Sequence, residues 1–69
     1  MTSDQREVLG FLAKEWKIRR VRQDLLLKES GQISSYAKVP GGESTLRHLR
    51  ELGYIDMRNM ITELGRAVE

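Results

Sequence analysis

Ser44-Thr45-Leu46-Arg47-His48-Leu49-Arg50-Glu51-Leu52-Gly53-Tyr54-Ile55 reads as a helix that stops sharply and hands over to a strand. Leu46, Leu49 and Leu52 recur at three-residue spacing and share one side of a helical wheel, which marks a face meant for a core. Gly53 suits the left-handed stop of a helix C-terminus, and Gly42-Glu43 marks the start. On the far side Ser44, Arg47 and Glu51 point away from the leucines, with His48 flanking them. Tyr54-Ile55-Asp56-Met57 then reads as a strand, Arg58-Asn59 as a tight turn and Met60-Ile61-Thr62 as a return strand, a small hairpin over 54–62. Thr62-Glu63-Leu64-Gly65-Arg66-Ala67-Val68 closes the segment as a last helical turn capped by Thr62.

Upstream, Ser3 to Trp16 has the pattern of an amphipathic helix. Ser3 is a suitable N-cap, Asp4 and Glu7 place negative charge in the first turn, and Val8, Leu9, Leu12 and Trp16 form a stripe that Phe11 widens. Residues 17–30 read as a second helix, with Ile18, Val21 and Leu25 on one face, Leu26 and Leu27 extending it and Gly31 ending it. Extended backbone is the alternative for its entry, Trp16 to Arg20. Ile33–Lys38 reads as a short helix or turn, followed by the loop Val39-Pro40-Gly41-Gly42. The expected fold is mainly α with a small β-hairpin: a three-helix core plus a short wing, in a single domain over residues 1–69.

Sixty-nine residues suit one small domain, which buries only about 60% of its unfolded surface. Twelve Lys and Arg against ten Asp and Glu leave a net charge of +2, too small to identify a partner. The distribution says more: Lys14, Lys17, Arg19, Arg20, Arg22 and Lys28 stand against Glu15 and Asp24 within residues 14–28. Lys17, Arg19, Arg20 and Arg22 are therefore the first candidates for phosphate contact. With no cysteine, disulfides and thiol chemistry are excluded. No apolar run reaches the ~20 residues of a membrane span and no signal-peptide pattern opens the chain, so the expectation is a cytoplasmic protein without a membrane partner.

Enzymatic readings find no support in the residue types. His48 is the lone histidine, with no second imidazole or thiol to complete a metal site. Asp24, Glu29, Glu43, Glu51 and Glu63 form no paired-carboxylate motif, and Gly41-Gly42 lacks the Lys of a phosphate loop. Neither catalysis nor a cofactor or metal is expected. Trp16 and Tyr54, both able to stack on bases, sit where core packing is the simpler use.

The run Ser44–Ile55, followed after a hairpin-length gap by Ile61-Thr62-Glu63-Leu64-Gly65-Arg66-Ala67, resembles the recognition helix, wing and closing helix of winged helix-turn-helix DNA-binding domains. The two fragments cover about half of the chain. The loop before the third helix leaves two candidates for the supporting helix, residues 21–30 or 33–38. The resemblance implies a small regulator of transcription, prokaryotic or phage-encoded, that binds double-stranded DNA, with a homodimer as a further expectation. In that reading the third helix enters the major groove and Ser44, Thr45, Arg47 and His48 face base edges. Lys17, Arg19, Arg20, Arg22, Lys38, Arg50 and Arg58 would hold phosphates. The competing expectation is a winged-helix module that docks on a protein partner without reading DNA, favoured by the near-neutral third helix, where Glu43 and Glu51 offset Arg47 and Arg50.

Overall fold

Thr2, not Ser3, starts the first helix. In the computed structural model, which describes residues 1–31 and 35–69, the Thr2 hydroxyl accepts from the Gln5 amide at 3.2 Å. The Gln5 carboxamide accepts in turn from the Thr2 amide at 3.3 Å, closing a capping box. Helix α1 (Ser3–Ala13) buries Val8, Leu9 and Leu12 and stops three residues short of Trp16. Glu15 takes a left-handed conformation (φ 72°), its amide donates to the Leu12 carbonyl and the Trp16 amide donates to the Phe11 carbonyl, each at 3.1 Å. This is a Schellman ending with glutamate in the usual glycine position. The rings of Phe11 and Trp16, 4.7 Å apart, make the hydrophobic contact that accompanies it.

The turn at Glu15 sends the next segment off as a strand. Residues 17–30, expected as a second helix, instead form a hairpin of β1 (Lys17–Val21) and β2 (Asp24–Lys28), joined by Arg22-Gln23. Lys17-Ile18-Arg19 alternates polar and apolar at the strand period, and Arg22 takes the left-handed conformation (φ 58°) that opens a two-residue hairpin turn. β3 (Tyr36–Lys38) pairs antiparallel with β2, so the sheet order is β1-β2-β3. The expected helix or turn at Ile33–Lys38 is thus a strand over its last three residues, and Ile33 and Ser34 lie outside the described residues.

Helix α2 (Gly42–Glu51) follows from Gly41 and ends in a second Schellman motif. Here Gly53 (φ 80°) holds the left-handed position, its amide donating to Arg50 and that of Tyr54 to Leu49, both at 3.0 Å. The expected hairpin over 54–62 shrinks to one bridge, Ile55 to Ile61, flanked by bonds from the Asp56 amide to the Met60 carbonyl (2.9 Å) and from Thr62 to Tyr54 (3.0 Å). Asp56 Oδ1 accepts from the amides of Arg58 and Met60 at 2.8 and 3.0 Å, which pins the turn. Helix α3 (Glu63–Val68) starts on Thr62, whose hydroxyl accepts from the Gly65 amide at 3.1 Å and donates to the Gly53 carbonyl at 2.7 Å.

The molecule has two layers. Val8, Leu9 and Leu12 of α1, Leu46 and Leu49 of α2, Val39 and Ile55 close over Leu27 of the central strand, all buried. The architecture is α+β: a helix, a three-stranded antiparallel meander, then two helices. That overturns the three-helix core with a wing. Neither candidate for the supporting helix exists as one: residues 21–30 are mostly hairpin, and the described part of 33–38 is β3 and its approach. Among the described residues, no helix is long and apolar enough to cross a membrane.

Candidate nucleic-acid interface

Leu27 is fully buried, and it decides which way every side chain of the sheet points. Cα partners across antiparallel strands face the same side, so Ile18, Leu27 and Ala37 share the inner face, and Arg20 and Leu25 follow them. The opposite, outer face carries Lys17, Lys28 and Tyr36 in one row and Arg19, Leu26 and Lys38 in the next. Val21 and Asp24 complete it beside the hairpin turn. Four cations surround Leu26 and Tyr36, against the single carboxylate of Asp24.

That face is open. Tyr36 is 49% exposed and Val21 46%, while Leu26 is half-buried and takes no part in the core cluster, unlike its neighbours Leu25 and Leu27. Among the described residues, Lys17, Arg19, Lys28 and Lys38 enter no ion pair; the pairs found are Arg20–Glu43, Arg50–Glu43 and Arg66–Glu15. A sheet whose second face offers unpaired cations around an apolar centre has the composition of a surface that meets polyanions. Arg22 stands at the hairpin tip with φ 58° and is exposed.

The candidates expected from sequence are divided by this geometry. Lys17, Arg19 and Lys38 lie together on the outer face, and Arg22 at the hairpin tip. Arg20 points inward and reaches α2, donating to Glu43 at 3.3 Å. Arg50 donates to Glu43 at 2.6 Å and to Asn59 Oδ1 at 2.8 Å, which employs its guanidinium in joining α2 to the turn that follows it. Arg58 is exposed on that turn and is not among the outer-face residues of the sheet.

On α2, Ser44, Arg47 and His48 are exposed as expected of an outward face, but Thr45 is buried at 5% exposure and cannot face a base edge. Thr45 sits against Gly41, on the inner side of the helix. Trp16 packs with Phe11 against the core, and Tyr54 is half-buried beside it. Lys28, though counted in the basic cluster, and Leu26 and Tyr36 were not among the contact candidates read from the sequence, although Lys17-Ile18-Arg19 and Tyr36-Ala37-Lys38 alternate polar and apolar at the strand period. Among the described residues no group of His, Asp and Glu is gathered as a metal site. No protein family, curated protein or solved structure matches the chain.

Proposed function

We propose that the chain is a small nucleic-acid-binding protein that grips the phosphate backbone with the outer face of its sheet. The observation that carries this is the set of four cations without ion pairs around Leu26 and Tyr36, on a face that no described element covers. Duplex DNA and regulation of transcription are the ligand and role expected from the sequence; with the winged-helix architecture overturned, they rest here on the cationic sheet face alone. The sheet is better suited than α2 to that contact. Around Arg47 and His48 the helix surface carries Glu51, and its other arginine and Glu43 already satisfy each other.

Salt dependence tests the reading. Neutralising four phosphates releases enough counterions for affinity to fall roughly a hundredfold between 50 and 200 mM salt. The expected result of a titration against mixed-sequence duplex is that steep decline, flattened when Lys17 and Lys38 are both replaced by Ser. No binding at low salt, or binding indifferent to salt, overturns the proposal and moves a protein-docking role ahead.

A further inference from the structure

Resting on that reading, we infer that the ligand is double-stranded and that the sheet lies in its major groove, strands along the groove, with β2 facing the bases. Single-strand binders stack successive bases on aromatic platforms. The outer face offers one ring, Tyr36, because Trp16 and Phe11 pack on each other, tilted, against the core and Tyr54 packs inward. Neighbouring strands lie ~4.8 Å apart, so β1 to β3 spans about 10 Å. Taken between strand axes, that sets the edge strands at the rims of a ~12 Å major groove with the central strand inside it, and it far exceeds the ~6 Å of a minor groove.

In this placement the strands take different tasks. The edges β1 and β3 lie beside the two phosphate walls, and they carry Lys17 and Arg19 on one side and the Tyr36 hydroxyl and Lys38 on the other. Those are the donors that phosphate oxygens accept. The central strand points Asp24, Leu26 and Lys28 at the groove floor. The three differ in kind: a carboxylate accepts from the cytosine amine, an apolar side chain meets the thymine methyl, and an ammonium donates to guanine O6 and N7. The lone acid of a cationic face thereby gains a use. Side chains two apart on a strand are ~6.8 Å apart, so the three readers span about 14 Å and cover roughly three to four base pairs along the inclined groove.

The experiment uses the intact chain. A random duplex library is selected at low salt, and the winning duplex is titrated beside its separated strands and beside the same duplex bearing glucosylated 5-hydroxymethylcytosine, which fills the major groove. The expected result is a duplex bound about tenfold or more tighter than either strand, with the preference lost on glucosylation. Lys28→Met should reduce the preference for the selected over mixed duplex by about tenfold. Lys17→Ser should weaken both alike, and melting temperatures check that both variants fold. A strand bound as well as the duplex, a glucosylated duplex bound as well as the plain one, or a Lys28→Met variant that keeps full preference overturns the groove assignment while the phosphate-binding reading stands. Failure to bind any nucleic acid overturns both.

Discussion

Glu15 ends α1 in a conformation that L-residues adopt at a cost of about 1–2 kcal/mol. Its compensation in contacts is slight, since the pair it forms with Arg66 at 3.2 Å is exposed on both sides and surface pairs contribute little. Glu15→Gly should therefore stabilise the fold by about 1 kcal/mol, read as a higher urea midpoint at unchanged slope. A loss of stability would mean that the Arg66 contact outweighs the backbone strain. The same residue explains why the end of α1 was not legible. Gly53 announces the stop of α2 because glycine favours the left-handed position, whereas a glutamate there carries no signal. The apolar stripe continues to Trp16 because the Schellman contact needs an apolar residue at that place, not because the helix does.

At the scale of elements, the closing segment is held by close approach. Gly65 is buried on α3, and a Cβ there would collide with the Tyr54 carbonyl and Ile61 of the bridge beneath it. Gly65→Ala should cost about 1–3 kcal/mol, because the obstacle is backbone and cannot yield as a side chain does. Gly10 supplies the opposite sign. It lies inside α1 with open space where its Cβ would stand, so Gly10→Ala should stabilise by about 0.5–1 kcal/mol. Both values follow from urea denaturation, and equal effects of one sign would refute the packing difference. The helices with strong local marks, α2 with its leucines and α3 with Thr62, were readable. The strands were not, because Leu25-Leu26-Leu27 is a continuous apolar run that fits either period. The reversals at Glu15 and at Arg22, both left-handed, decided for strands.

For the whole molecule, the two-layer arrangement separates two adjacent leucines by function. Leu27 is fully buried among Leu9, Leu46 and Leu49, and Leu27→Ala should cost about 2–5 kcal/mol through the cavity it opens. Leu26 faces the other way, outside the core cluster, so Leu26→Ala should cost much less stability and instead lower affinity for the selected duplex. Thermal melts beside binding titrations of the two variants test this, and comparable destabilisation by both would place Leu26 in the core. Arg20 and Arg19 show the same division among cations: one reaches across to Glu43 and ties the layers together, the other stays on the open face.

Composition determined that thiol chemistry is absent, and the order of the residues that positive charge gathers between residues 14 and 28. Local pattern determined α2, its glycine stop and the Thr62-capped closing helix, because caps, stops and leucine spacing act within a few residues. Only the tertiary structure decided that residues 17–28 are a hairpin, and that Lys28, Leu26 and Tyr36 join Lys17, Arg19 and Lys38 on one surface. Those neighbours are brought together by strand pairing. Register across antiparallel strands depends on which face is buried against α1 and α2, and that burial is a property of the assembled core rather than of any segment read by itself.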